Sequence, residues 1–467
     1  MTSFLRAICV ARAALALNCA GVALCVPMAA AAAVQVSGFS SIQSLGGIDE
    51  YRLDSNGLSV LLAPDHSAPV VTFQVTYRVG SRNEVTGTTG STHLLEHLMF
   101  KGSDSFNGLK GNSLKQYVER VGGQLNATTS VDRTHYFATV GIESLEGYVA
   151  AEADRMRHLW LHESDRQSEM TVVRNEYERG KNSPESVLFE EVTSAAFQAL
   201  PYHHPTIGWK SDIERVSIEK LREFYDTFYW PNNATISVVG DIEPALILNL
   251  IKKYYGGYAR SPHEIPAIYT EEPAQSGARR VIVKRPGELG SLVIAHKVPN
   301  AASKDQAAID VLDSILSSGK NARLYRALVD RGLALNAGAE TELHRDLSLH
   351  VIYASLAPGA SHDAVEKVLL DEINKIKASG VGLDEVARAQ RQYLAQDAYK
   401  RDGTAGIAEE LNEWIAVGDW TRYVSFPTEL AAVTAADVQR VAKQYFNEDQ
   451  STTGWFIPLA PQAEKGS

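Results

Sequence analysis

Three stretches of this chain repeat at a single spacing of 217 residues, and that spacing governs what the rest can fold into. The apolar run "HLLEHL" at 93–98 has a counterpart in "DVLDSI" at 310–315. A helix signal that begins at Ser217 pairs with one that begins at Thr434, and "FYWPNNATISVVG" then matches "YFNEDQSTTGWFI" in order and length. Independent landmarks with one offset predict a duplicated unit. Within the first copy, residues 57–80 alternate and are rich in β-branched residues, which predicts two strands. A helix around His93 follows, then a strand-like run, "LNATTSVDRTHYFATV", at 125–140. Helical patterns fill 143–160 and 164–182, and the unit closes with the helix from Ser217 and a strand at 234–240. Between the copies lies "YARSPHEIPAIYTEEPAQSGAR" at 258–279, whose three prolines read as a linker. The expectation is an α+β chain of two homologous αβ repeats, each a mixed or antiparallel sheet with helices packed on one face. The domains are expected at 34–257 and 280–467.

The first 33 residues read differently. Arg6 and Arg12 precede an apolar segment, Ala13–Val26, and then the small residues "MAAAAAV". A positive start, a short apolar core and an Ala-x-Ala site are the marks of a cleaved export signal. A membrane anchor would need about 20 apolar residues, and Asn18 and Pro27 leave fewer. Neither Cys19 nor Cys25 follows the small residue that a lipoprotein signal places before its cysteine. The expectation is a periplasmic or secreted protein with no membrane span after cleavage. Cys9, Cys19 and Cys25, the three cysteines of the chain, all lie in this segment. Any zinc site in the mature chain must therefore be built from His, Asp and Glu. A net charge of −11 opposes nucleic-acid binding, because a phosphate backbone would be repelled.

The copies differ selectively. At the repeat positions of His93 and His97 the second copy carries Asp310 and Ser314, while the apolar periodicity is kept. One copy reads as catalytic and the other as architectural. On a helix, residues four apart lie on one face a turn apart, so His93 and His97 can aim two imidazoles at one ion. Glu96 stands on the neighbouring edge, close to such an ion without needing to bind it. This is the inverted zincin pattern His-x-x-Glu-His, whose carboxylate acts as general base.

A hydrolytic zinc takes three protein ligands and keeps one position open. The segment "SDRQSEMTVVRNEYERG" at 164–180 is the best donor of the third. Ser164 and Gln167 predict a capping box, and Glu169 and Glu176 are two turns apart on one face. Spacing alone leaves Glu169, Glu176 and Glu178 open.

"HLLEHLMFKGS", followed by "VGGQLNATTSVDRTHYFATV" and then "VVRNEYERGKNSPES", resembles the pitrilysin/insulinase family of zinc peptidases, on its branch of short two-repeat subunits. Together with "YWPNNATISVVGD" and the duplication, the resemblance covers nearly all of the mature chain. It implies one zinc per chain bound by His93, His97 and Glu176, with Glu96 as the base of peptide hydrolysis. It also implies that Glu169 is a carboxylate supporting the ligands. Asn126 and Ala127 are implied to lie on an exposed sheet edge that takes an extended peptide substrate as an added strand. Two repeats are implied to form half of a clamshell chamber.

One departure bears on partners. Self-sufficient relatives carry an Arg and a Tyr in the second half that reach the substrate, and "RLYRALVDRGLALNAG" has Leu335 at the Tyr position. A leucine cannot donate a hydrogen bond to an oxyanion. The expectation is a metal-carrying subunit whose homologous partner supplies the Arg/Tyr pair. Arg323, Tyr325 and Arg326 are substitute donors that would instead permit an active homodimer. The competing readings are a non-catalytic assembly subunit and a periplasmic zinc-binding protein.

Overall fold

The computed structural model describes residues 34–459; the export signal expected at 1–33 lies outside the described residues. The first copy runs β1 (Phe39–Leu45), β2 (Ile48–Leu53), β3 (Ser59–Pro64), β4 (Val70–Tyr77), α1 (Ser91–Leu98), α2 (Leu114–Arg120), β5 (Gln124–Thr129) and β6 (Thr134–Gly141). It continues through α3 (Leu145–Arg157), α4 (Glu163–Lys181), α5 (Pro184–Ala196), α6 (Lys210–Arg215), α7 (Ile218–Phe228), β7 (Ala234–Gly240) and α8 (Pro244–Tyr255). The second copy opens with β8 (Arg279–Pro286), β9 (Ser291–Val298), α9 (Gln306–Ser317), β10 (Ala334–Glu342) and β11 (Ser348–Leu356). It ends with α10 (His362–Ser379), α11 (Leu383–Lys400), α12 (Gly403–Val417), α13 (Arg422–Ala431), α14 (Ala435–Tyr445) and β12 (Ser451–Leu459).

The repeat is visible in the caps. Ser217 accepts the Lys220 amide at 3.3 Å to start α7, and Thr434 accepts the Asp437 amide at 3.2 Å to start α14. Each hydroxyl satisfies one of the amides that a helix start leaves unpaired. β7 and β12 follow at the same offset, and each inserts into its sheet in the same way. β7 runs parallel to β3 and antiparallel to β4; β12 runs parallel to β8 and antiparallel to β9. The sheet orders are β1-β2-β3-β7-β4-β6-β5 and β10-β11-β9-β12-β8. Both sheets are mixed, as expected of the two repeats. The β1–β2 hairpin was not expected, and the run at 125–140 is a hairpin, β5–β6, rather than one strand.

On the first sheet the copy's own helices share one face, where Phe73 of β4 meets Tyr148 of α3 edge-on at 5.9 Å. The other face is covered by a helix from the other copy. Along β4, Thr72 pairs with Thr404 at 2.8 Å, Gln74 donates to the Ala408 carbonyl at 3.2 Å, and Thr76 donates to Asn412 at 2.7 Å. All three partners belong to α12. In exchange, α5 lays Val187, Leu188 and Val192 against Val293, Val351 and Phe456 of the second sheet. A Cβ on Gly454 of β12 would stand 2.3 Å from Val192, so this close approach requires glycine. The exchanged helices start at Pro184 and Gly403, near the repeat offset. The copies are thus distinct in sequence but interlocked in packing.

One local expectation is corrected. α4 starts at Glu163 rather than behind a Ser164–Gln167 capping box, and its N-cap, His162, makes no side-chain bond. Glu163 instead accepts from Gln167 at 2.9 Å and from Arg166 at 2.6 and 2.7 Å. A carboxylate in the first turn suits the positive end of the helix.

Candidate metal centre

α1 begins without a capping side chain of its own. Its N-cap is Gly90, at φ +83°, where a Cβ would lie 2.4 Å from the Ile207 carbonyl. The cap comes from outside the helix. The carboxylate of Glu84 accepts the Gly90 and Thr92 amides, each at 2.7 Å. Asp212 holds the preceding Gly87 and Thr89 amides at 3.0 and 3.1 Å. Burial pushes the Glu84 carboxyl up to about 8 despite these bonds. The axis and register of α1 are fixed before its functional residues are reached.

His93 and His97 then project one turn apart, with ring centroids 4.9 Å apart and planes at 80°. Both Nε2 atoms lie 3.7 Å from one oxygen, Oε2 of Glu176 on α4. Ligands at about 2.0–2.2 Å around a tetrahedral zinc would stand roughly 3.4 Å from one another. The three donor atoms thus fit such an ion, and among the described residues no other group of three does so. Burial, with His97 adding to it, pushes His93 down to about 4, so its imidazole is neutral at pH 7, the form that binds metal. Of the two other candidates on α4, Glu178 is exposed and paired with Lys210. Glu169 turns to the far side of His97, its Oε2 2.9 Å from Nδ1, and also pairs with Lys101. That contact assigns the proton to Nδ1 and leaves Nε2 free to bind. Burial raises the Glu169 carboxyl, but the bonds from Lys101 and His97 outweigh it and hold the group below its usual range.

Glu96 sits beside this group. Thr129, the last residue of β5, donates to its carboxylate at 2.5 Å, and burial nonetheless raises its pKa. β5 is the edge strand of the first sheet, so among the described residues one side of its backbone has no strand partner. Asn126 is exposed on that strand and Ala127 is buried. Glu96, His97, Asn126 and Glu169 line one cleft of about 600 Å³. A slightly larger cavity, about 640 Å³, lies between α5 and the second sheet. It contains none of these groups, so the candidate residues belong to the smaller cleft.

Thr129, Lys101 and Glu84 were not anticipated. Alternation in "LNATT" puts Thr129 on the face of Ala127, and Lys101 follows His97 by one turn, so both carried a signal. Glu84 carried none, because nothing in sequence marks a distant cap. In the second copy, Arg323 is held by Glu385 through two bonds of 2.7 and 2.8 Å, and Leu335 is 55% exposed on β10. Tyr325 and Arg326 lie in a π-helical turn, Tyr325–Val329.

Residues 59–209 match the family model described as insulinase (peptidase family M16), and residues 215–393 match that of the peptidase M16 inactive domain. The zinc protease PqqE of Helicobacter pylori is 31% identical over 408 residues, covering 86% of this chain and 91% of that protein. This chain belongs to the peptidase M16 family. A crystal structure of a protease from Helicobacter pylori superposes with a TM-score of 0.83 at 30% identity, over 90% of this chain and 99% of that one. Another member, the mitochondrial-processing peptidase subunit beta of Lentinula edodes, is 25% identical over 87% of this chain and 89% of its own. Among the described residues of this M16 chain, no helix is long and apolar enough to cross a membrane.

Proposed function

We propose that this chain is an exported zinc peptidase that hydrolyses unfolded peptides or oligopeptides, and that it is the metal-carrying subunit of a dimer. The observation that carries the reading is the convergence of the His93 and His97 Nε2 atoms on one Glu176 oxygen, with the Glu96 carboxylate alongside. His93, His97 and Glu176 would hold one zinc, which supplies Lewis-acid polarisation of the peptide carbonyl and an acidified water. Glu96 takes the proton of the attacking water and returns it to the leaving amine. Its burial-raised pKa makes it a better proton acceptor near neutrality than an exposed glutamate. Thr129 keeps that carboxylate aimed, and Glu169 with Lys101 keeps His97 turned. The open edge of β5 at Asn126 offers main-chain bonds to an extended peptide, which read little of its sequence.

The dimer rests on what the second copy lacks. Leu335 has no donor, and Arg323 already serves Glu385. A homologous partner is the simplest source of an oxyanion donor, and one relative carries the word subunit in its name. Export rests on the leader-like sequence at 1–33.

Removing the metal tests the reading. The purified chain, assayed with whatever co-purifies, should cleave an unfolded peptide, lose that activity to a chelator and regain it with one equivalent of zinc. Zinc bound at one per chain without any cleavage, with or without the co-purifying protein, would overturn it.

A further inference from the structure

On the far side of the first sheet from α1, a pocket of about 410 Å³ is lined by four arginines: Arg52 of β2, Arg78 just after β4, Arg260 of the linker and Arg345 of the β10–β11 loop. Among the described residues none of the four has a carboxylate within ion-pairing distance, in a molecule that makes some thirty such pairs elsewhere. The one acid on the lining, Glu50, is already engaged, accepting from Gln43 and from the Trp420 indole at 2.8 Å each. The lining therefore carries a charge of about +3 inside a chain whose net charge is −11. The end of α12 at the rim supplies a partial charge of only about −0.5, too little to offset it.

The arrangement is also built. Arg78 is held by bonds to the Thr235 hydroxyl at 3.2 Å and the Asn232 carbonyl at 2.8 Å. Burial, then the charges of Arg345 and Arg52, push its pKa down to about 10, which leaves it charged at neutral pH. The Arg345 loop is tied down by its amide, which donates to Asp132 at 2.9 Å. Arg260 packs over the turn at Gly57, where a Cβ would lie 3.2 Å from its guanidinium. Ser59 and Thr235 add hydroxyls to the same wall. A guanidinium fork matches two oxygens of a carboxylate or phosphate. One carboxylate would satisfy one fork, whereas four forks around one space call for an anion with several charged oxygens.

We propose that this pocket binds a small multivalent oxyanion of the phosphate class, held jointly by the first sheet, the linker and the second copy. The site lies four strand positions from β5, on the order of 19 Å across the sheet, and is separate from the hydrolytic cleft.

Calorimetric titration of the full chain with inorganic pyrophosphate at low ionic strength tests this. Arg52→Gln, Arg260→Gln and Arg345→Gln combined should weaken binding at least tenfold. These three side chains are exposed, so the fold should tolerate their loss. Replacing three other exposed cations, Arg215, Arg331 and Lys443, by Gln should leave the affinity within about twofold. Equal binding by wild type and the first variant, or equal weakening by both variants, would overturn the proposal. So would an Asp-rich peptide that binds these arginines when pyrophosphate does not.

Discussion

The two copies carry one helix each at the same place, and their contents diverge residue by residue. α1 presents His93, Glu96 and His97, with Glu176 facing them from α4. At the same offset α9 presents Asp310, Asp313 and Ser314, with Tyr393 facing them from α11. A similar contact occurs in both, although Thr341 stands 212 rather than 217 residues after Thr129. Thr129 donates to Glu96 at 2.5 Å, and Thr341 donates to Asp313 at 2.7 Å. In the second copy His350 also sits 2.6 Å from Asp313, and Gln306 donates to Asp310 at 2.6 Å. The carboxylate–threonine contact is thus a property of the scaffold, docking a helix on its hairpin. The paired Nε2 atoms and Glu176 belong to one copy alone. Where they are missing, Asp310 is bonded by Gln306, and Asp313 by Thr341 and His350.

The comparison breaks most sharply at the two scaffold carboxylates. Glu96→Gln should keep one zinc per chain yet lose about 10²–10⁴ of the peptidase rate. Asp313→Asn should leave kcat/KM of the folded protein within about twofold, because its contact is only structural. Metal analysis and steady-state rates on both variants check this. A Glu96→Gln chain that loses its metal, or cleaves normally when reloaded, would make Glu96 something other than a base.

The second difference lies between this chain and a self-sufficient one. With Leu335 exposed and Arg323 occupied, the isolated chain should be slower than the complete assembly by about 10²–10³, the usual cost of a missing oxyanion donor. Adding the homologous partner should restore the rate without changing zinc content. Full turnover by the single chain, unaffected by any co-purifying protein, would retire the two-subunit proposal and leave the peptidase reading intact.

A smaller effect separates the two glutamates of α4. Glu176→Gln should strip the metal, since two imidazoles remain. Glu169→Gln should retain it with affinity or activity lower by about 10–100-fold, because it acts on His97 rather than on the ion. Chelator competition on the two purified variants gives the ranking, and the reverse order would exchange the roles.

Much of this was legible beforehand because it is local or periodic. The 217-residue offset needs only pattern matching, and the caps at Ser217 and Thr434 follow from side-chain chemistry at a helix start. The spacing of His93 and His97 fixes their shared face. What was not legible depends on packing. The sequence of α5 shows an apolar stripe but not that the other copy's sheet receives it. Spacing on α4 put Glu169 and Glu176 on one face, and only the docking of α4 on α1 turns one towards both Nε2 atoms and the other towards Nδ1. The capping box at Ser164 failed because Glu163, one residue earlier, captures Gln167 instead. The four arginines of the anion pocket are 26, 182 and 85 residues apart along the chain, so no local motif could announce them.

The smallest effect lies at the position in the second copy that matches His93. Asp310 stands at the position of His93, and its carboxyl is pushed up to about 7, first by burial and then by Asp313. The bond from Gln306 and the influence of Tyr393 and Lys400 work the other way without cancelling the rise. An unfolded aspartate titrates near 3.9. The fold therefore prefers the protonated acid. Its stabilising contribution is whole below about pH 4 and is lost as the pH rises through 7. Asparagine imitates the protonated acid at every pH and can still accept from Gln306. Asp310→Asn should consequently match wild type near pH 4 and exceed it increasingly up to pH 8, by about 1–2 kcal/mol there. The full gap of about three units would give roughly 4 kcal/mol, from which residual structure in the unfolded chain and solvent access subtract. A chain of this size would show it as a rise of about 1–2 degrees in Tm. Thermal unfolding of both proteins at pH 5 and pH 8 decides the matter. An equal difference at the two pH values would mean that the Asp310 carboxyl is ionised throughout and that its surroundings stabilise charge, as the surroundings of a metal ligand would.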